Sequence, residues 1–131
     1  MKKIENCLFC KIINNEIPCF KIYEDNDVIS FLDINPEAYG HCLVLPKRHY
    51  ECFLDIPLYI LNKVNHVAKR IAKAEQKALK AKGFNFINNC YEIAGQTIPH
   101  FHLHIIPHYK ETKDLENIDF KNLMDSIKKY L

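Results

Sequence analysis

The feature that most restricts how this chain can fold is a run from His100 to Ile105 in which histidines alternate with apolar residues. Strict alternation is typical of a β-strand, because successive side chains point to opposite faces of a sheet. A strand over 101–107 would place the apolar side chains on the core and His100, His102 and His104 together on the other face. The outer two imidazoles would be roughly 13 Å apart at Cα, so one metal ion could not hold all three without strain.

Three interpretations of these histidines follow: the solvated face of an edge strand, a metal-binding strand, or a site in which one imidazole reacts while its neighbours bind and orient. The third is favoured, because such a triplet of an uncommon residue rarely arises by chance. A neutral imidazole nitrogen is nucleophilic and can form a covalent intermediate. Phosphoryl and nucleotidyl transfer suit such a group, because they depend on positioning and charge neutralisation.

Composition excludes several classes of function. The chain has 131 residues and a formal net charge of +2, which is too balanced for binding nucleic acid through bulk charge. Its three glycines form no Gly-rich phosphate loop. No apolar run approaches the roughly 18 residues of a membrane span, and no signal peptide is recognisable. We therefore expect a single cytoplasmic domain over residues 1–131, with no membrane contact and no organic cofactor.

Local patterns predict an α+β fold with a mainly antiparallel five-stranded sheet, one long helix, and shorter helices near each end. The predicted strands are 18–23, 28–34, 41–45, 84–88 and 101–107. The predicted helices are 8–13, a long amphipathic helix from Pro57 to about Lys82 that stops at Gly83, and a C-terminal helix around 120–127.

The cysteines divide into a pair and four others. Cys7 and Cys10 form a C-x-x-C, which supplies half of a tetrahedral zinc site or, alternatively, two packed thiols at the start of a helix. The other four are interpreted as reduced thiols that pack as small apolar residues, because a cytosolic chain with a good core needs no disulfides. These four are Cys19, Cys42, Cys52 and Cys90.

The chain resembles the histidine triad superfamily, and within it the compact bacterial type of nucleotide-binding hydrolase. The stretch His100–Ile106 matches the alternating histidine motif of that superfamily. Further matching segments, in the same order and spacing, are 7–13, 17–18, 23–25, 31–34, 40–49 and 94–96. The resemblance covers roughly residues 5–109, and the tail 110–131, which we expect to be helical, is less diagnostic.

The resemblance implies hydrolysis at the α-phosphorus of a purine nucleotide derivative, most simply of a nucleoside phosphoramidate with release of AMP. His102 would be the nucleophile that becomes nucleotidylated, and His104 would contact the phosphate and assist the leaving group. Alternatives are dinucleoside polyphosphate hydrolysis, nucleotidyl transfer to a second acceptor, a nucleotide-binding regulatory protein with little turnover, and a zinc-dependent structural module.

The same resemblance implies a set of binding residues. They are Asn89, Gln96 and Thr97 on the phosphate side, Asp33 at the ribose hydroxyls, and Phe31, Ile34 and Leu45 around the base. A carboxylate suits a diol, because it accepts two hydrogen bonds. Without the resemblance, the favoured interpretations are Asp33 as a turn cap, Asn89 as a turn former and Gln96 as a surface residue.

Zinc-containing members of the superfamily imply that His49 and His100 complete the site begun by Cys7 and Cys10. His100 would then be structural rather than chemical. His41 would hydrogen-bond behind the triad, although a buried histidine with satisfied hydrogen bonds fits its position almost as well. The superfamily also implies a homodimer whose strands continue across the interface.

Two departures from the superfamily pattern affect the site. Tyr91 occupies a position, five residues before Gln96, where a glycine is usual. The sequence therefore does not predict the backbone path of this phosphate-side loop. The tail also lacks the tryptophan-containing C-terminus of some relatives, which leaves the preferred leaving group open.

Overall fold

The structure, a computed structural model, describes residues 6–131 and contains a five-stranded antiparallel sheet in the order β1-β2-β3-β5-β4. The strands are β1 Lys21–Glu24, β2 Val28–Leu32, β3 Cys42–Pro46, β4 Gly83–Ile87 and β5 Leu103–His108. The helices in the described residues are α1 Leu8–Ile13, α2 Leu58–Leu79 and α3 Phe120–Lys128, with a 3-10 turn at Glu92–Ala94. The predicted α+β class and five-stranded sheet are confirmed.

The sheet is covered on both faces, because every residue of β2 and β3 is buried. Val28 and Val44 point into the core beneath α2 and α3, whereas Ile29 and Leu43 point into a second cluster with Phe9 of α1. Each fully buried side chain of this size contributes roughly 1.5–3 kcal/mol. The centre of the sheet is therefore enclosed between α1 on one side and the longer helices on the other.

Helix α2 ends earlier than the sequence predicts. Its buried stripe includes Ile60, Val64 and Ile71, at the three- and four-residue spacing of an amphipathic helix. Lys80 then adopts the left-handed conformation at φ 63°, so the helix stops at Leu79 rather than near Lys82. Gly83 is not the stop but the first residue of β4.

Strand β5 begins at Leu103, two residues later than predicted, because the Phe101 N–H donates to the Tyr50 carbonyl outside the sheet. The alternation nevertheless holds, since Phe101 is buried beneath α2 and the histidines face α1. β5 lies between β3 and β4, and His100 and His102 are only 0% and 6% exposed. The solvated edge-strand interpretation is therefore wrong.

The remaining differences lie at the ends of elements. β1 begins at Lys21 rather than at residue 18, and within the tail the helix is confined to 120–128. Within the described residues, no helix combines the length and the apolar character needed to cross a bilayer.

Candidate active site

A cavity of about 340 Å³ lies between α1 and the face of the sheet that carries the histidines. Six residues that the sequence predicts at the site line it: Phe31, Asp33, Ile34, Thr97, His102 and His104. Much of the remaining wall is apolar, including Phe9 and Ile12 of α1 and Leu43 of β3. An apolar pocket with a few polar groups at one end suits a ligand with an aromatic ring joined to a charged group.

His102 has one ring nitrogen occupied and one available. Its Nδ1 lies 2.7 Å from the carbonyl oxygen of His100. Because a carbonyl oxygen can only accept, Nδ1 carries the proton and Nε2 keeps its lone pair. Burial lowers the pKa of His102, which favours the neutral ring. The Phe9 ring meets the imidazole edge-on at 4.9 Å between centroids and restricts its orientation.

His104 and His41 form a directional hydrogen-bond chain. The Glu37 N–H donates to Nδ1 of His41 at 3.0 Å, so the proton of neutral His41 lies on Nε2. That Nε2 is 3.0 Å from Nδ1 of His104, which must therefore accept. The proton of His104 is left on Nε2. Burial is the main cause that lowers the pKa of both rings, in agreement with two neutral imidazoles.

Asp33 places a carboxylate at the same end of the cavity. Its Oδ2 lies 3.6 Å from Nε2 of His41, and its Oδ1 accepts the Asn35 N–H at 2.9 Å. The negative charge raises the pKa of His41 and so opposes the effect of burial. Asp33 is half-buried, so its carboxylate remains accessible from the cavity that it lines.

The two predicted amides support a loop instead of lining the cavity. The buried Gln96 accepts the Tyr91 N–H on Oε1 at 2.7 Å and donates from Nε2 to the Glu51 carbonyl. Nδ2 of Asn89 lies 3.4 Å from the Gly95 carbonyl. Both side chains therefore connect parts of the 89–96 loop, and Thr97 is the residue next to it that reaches the cavity.

Tyr91 retains a backbone conformation that suits glycine. Its φ is 74° and its ψ is 155°, a combination that strains a residue with a Cβ. Backbone hydrogen bonds from Ala94 and Gln96 to the Tyr91 carbonyl hold the turn in place. The loop thus follows a path suited to glycine at the cost of local strain.

Leu45, predicted to wall the base, is buried in the core on the α1 side and does not line the cavity. Leu43 lines it instead, because Leu43 is the residue that pairs with His104 across β3 and β5. Sequence reasoning also missed the contribution of α1. The signal was present in Phe9 and Ile12, two apolar residues three positions apart on a short helix.

His100 faces away from the cavity, into a cluster with Cys7, Cys10 and His49. Its Nε2–H donates to the Pro46 carbonyl at 2.9 Å, which leaves the Nδ1 lone pair free. That Nδ1 lies 3.4 Å from Sγ of Cys7 and 3.6 Å from Sγ of Cys10. The His49 Nδ1 lies 3.4 Å from the same Cys10 sulfur.

The cluster fits a zinc ion. Two ligands at the usual Zn–S and Zn–N lengths of a tetrahedral site lie roughly 3.5 Å apart, which matches the sulfur–nitrogen distances here. Burial lowers the pKa of His100 to about 4, so the ring keeps its lone pair, and the Pro46 carbonyl fixes its tautomer. Burial also raises the pKa of Cys7 to about 11, so a thiolate at this position needs a cation beside it.

Comparison with known proteins agrees with this arrangement. The family model described as the HIT domain matches residues 14–111 of this chain. An uncharacterized HIT-like protein of Methanocaldococcus jannaschii is 42% identical, over 93% of this chain and 98% of that protein. The adenosine 5'-monophosphoramidase of Saccharomyces cerevisiae is 43% identical, over 83% of this chain and 66% of that protein. The crystal structure of a zinc-bound histidine triad family protein from Mycobacterium smegmatis superimposes with a TM-score of 0.88 at 33% identity, over 96% of this chain and 93% of that one.

Proposed function

This chain belongs to the HIT domain family, and from that premise we propose that it hydrolyses nucleoside phosphoramidates through a covalent nucleotidyl-histidine intermediate. The observation that carries the proposal is the state of His102. Its Nδ1–H is held by the His100 carbonyl, so a neutral ring offers Nε2 as a nucleophile in the cavity.

The reaction has two steps. In the first, Nε2 of His102 attacks the α-phosphorus, and the bond from phosphorus to the amine nitrogen breaks. His104, which takes up a second proton when the negatively charged phosphate binds beside it, gives its Nε2 proton to that nitrogen and returns to the neutral form, so the leaving group departs as a neutral amine. In the second, water attacks the phosphorus, passes a proton to His104 and displaces His102, and the nucleoside monophosphate is released.

The cavity binds the rest of the substrate. The apolar wall, with Phe31 and Ile34, encloses the base, while Asp33 accepts hydrogen bonds from the ribose hydroxyls. Thr97 donates to the phosphate. Asn89 and Gln96 hold the 89–96 loop in position, and this loop borders the phosphate.

Adenosine phosphoramidate is the substrate we favour, since the similar yeast protein is named an adenosine 5'-monophosphoramidase. Zinc is proposed at Cys7, Cys10, His49 and His100, a set that matches the donor chemistry of a structural site. The ion would neutralise the thiolates and join α1 to the segment before β5, which keeps the apolar wall of the cavity in place.

A homodimer is also proposed. β4 is an edge strand of the sheet, and its residues Phe86 and Ile87 are 51% and 38% exposed. An exposed edge with apolar side chains is a ready template for pairing with a second copy. Light scattering of the wild type and of a Phe86→Lys variant tests this, with a shift to monomer expected in the variant.

The decisive experiment compares hydrolysis of adenosine 5'-phosphoramidate and of a diadenosine polyphosphate by the wild type and by a His102→Ala variant. We expect faster turnover of the phosphoramidate and a loss of at least roughly a thousandfold in the variant, with AMP binding retained. His66→Ala is the matched control, because His66 is an exposed histidine of α2. Unchanged turnover in His102→Ala refutes the nucleophile, and faster cleavage of the diadenosine substrate favours the alternative hydrolase.

A further inference from the structure

Residues 49–51 connect the cluster of metal-binding side chains to the phosphate-side loop. They belong to no helix or strand, so contacts with other segments hold them in place. The His49 ring lies in the cluster, with its Nδ1 3.4 Å from Sγ of Cys10. Two residues later, the Glu51 carbonyl accepts the hydrogen bond from the Gln96 side chain. A proposed zinc ligand is therefore only two residues away from a contact that supports the 89–96 loop.

The Gln96 side chain carries this contact into the loop. It is buried and hydrogen-bonded at both ends. Its Nε2 donates to the Glu51 carbonyl, and its Oε1 accepts the Tyr91 N–H at 2.7 Å. The Gln96 backbone N–H also donates to the Tyr91 carbonyl, at 3.1 Å. Because Tyr91 has a positive φ that strains its backbone, the loop depends on such bonds to keep its path.

The middle residue of the segment is held beside the second histidine of the cluster. The Tyr50 carbonyl accepts the Phe101 N–H at 2.7 Å, and Phe101 directly follows His100. Residues 49–51 are thus attached at His49 to the cluster, at Tyr50 to the neighbour of His100, and at Glu51 to the loop. An ion shared by His49 and His100 would fix both sides of this connection.

We propose that metal binding at the cluster orders the 89–96 loop through the Glu51–Gln96 hydrogen bond, and that zinc occupancy thereby sets the affinity of the site for a nucleotide phosphate. A metal–imidazole bond restrains His49 more than a thiol–imidazole contact of 3.4 Å does, so Glu51 keeps the position that meets Gln96. Thr97, which lines the cavity next to the loop, then stays within reach of the phosphate. The effect on nucleotide binding rests on the proposed function.

The test is hydrogen–deuterium exchange of the full-length protein with and without its zinc, in the wild type and in Gln96→Met. Methionine retains the length of glutamine but cannot replace its side-chain hydrogen bonds. In the wild type, zinc should slow the exchange of backbone amides in both 8–13 and 91–97. In Gln96→Met it should still protect 8–13, because Cys7 and Cys10 remain, but no longer 91–97. Gln76→Met, at an exposed position of α2, is the matched control and should behave as the wild type.

Calorimetric titration with AMP gives the second measurement. Zinc should raise the affinity of the wild type for AMP roughly fivefold or more, and AMP should raise the affinity for zinc by the same factor, because coupling between two sites is reciprocal. In Gln96→Met this factor should be smaller, whereas in Gln76→Met it should equal that of the wild type.

Each other result contradicts the proposal. Equal protection of 91–97 by zinc in the wild type and in Gln96→Met overturns the path through Gln96. Wild-type protein that binds no zinc, or in which zinc leaves 91–97 unchanged or protects the whole chain alike, overturns the coupling. An AMP affinity that is the same with and without zinc overturns the effect on the phosphate. The exchange measurement requires neither nucleotide nor turnover, so its failure is distinguishable from failure of the proposed hydrolase function.

Discussion

Nε2 of His41 lies 3.0 Å from Nδ1 of His104, and the Glu37 N–H on the far side of His41 sets the direction of this hydrogen bond. The backbone of a loop before β3 thus determines which nitrogen of His104 carries a proton. His41 is not among the residues that line the cavity, and it acts as a positioning residue. The site therefore contains two imidazoles in different tautomers: Nε2 of His102 carries a lone pair, and Nε2 of His104 carries a proton.

Replacement of His41 by Phe should lower kcat roughly tenfold or more with little change in KM, because His104 would lose the donor that fixes its tautomer. His41→Gln should retain more activity, since the amide N–H₂ can still donate. Steady-state kinetics with adenosine 5'-phosphoramidate measure both variants. Equal losses in Phe and Gln, or a change confined to KM, would show that His41 has only a packing role.

Purified protein should carry about one zinc ion per chain, measured by elemental analysis before any contact with chelator. Replacement of Cys10 by Ser should remove the metal and lower the Tm, because the metal binds the folded chain in preference to the unfolded one. Cys19→Ser leaves the four clustered ligands intact and should retain the zinc. A zinc content near zero in wild-type protein would exclude the proposed metal centre.

Position 91 should prefer glycine to alanine. The φ of 74° strains any residue with a Cβ, so Tyr91→Gly should have a Tm roughly 3 °C higher than Tyr91→Ala. Both variants lack the tyrosine side chain, so the loss of its contacts cancels in the comparison. At the neighbouring exposed residue Glu92 the order should reverse, with alanine the more stable. Calorimetry that finds alanine more stable at both positions would contradict the positive φ.

Glu75 should make stability depend on pH. Both of its carboxyl oxygens are buried without a hydrogen-bond partner, and burial raises its pKa well above 4.5. Gly40, Cys42 and Tyr109 lie close to it. In the unfolded chain the carboxyl ionises near 4.5, while in the folded chain it stays protonated. Its stabilising contribution is therefore complete below pH 4.5 and is lost as the pH rises towards the folded pKa.

The measurement is urea unfolding of the wild type and of Glu75→Gln between pH 4 and 8. The free energy of unfolding of the wild type should fall relative to the variant, by up to about 1.4 kcal/mol per pH unit over the range between the two pKa values. The glutamine has nearly the same shape and does not titrate, so other groups cancel. Parallel curves would show that Glu75 is not buried as a neutral acid.

Much of this molecule follows from local sequence. Runs bounded by turn residues predicted β2 and β3, and helical spacing of apolar residues predicted α2. The alternation after His100 also placed the histidines on one face of the chain. The ends of elements were less accurate, as at Leu79 and Leu103, because hydrogen bonds to distant residues decide where a strand or helix stops.

Tertiary structure decided what each histidine and amide can do. The sequence alone determines that His100, His102 and His104 share a face, but only the packed fold turns His100 towards Cys7 and directs His102 and His104 to the cavity. The packed fold also directs the Gln96 amide to hydrogen bonds that support the 89–96 loop. The physical reason is that a ring tautomer and an amide orientation are set by the carbonyl or N–H group opposite, and such partners, like the Glu51 carbonyl for Gln96, come from distant parts of the chain.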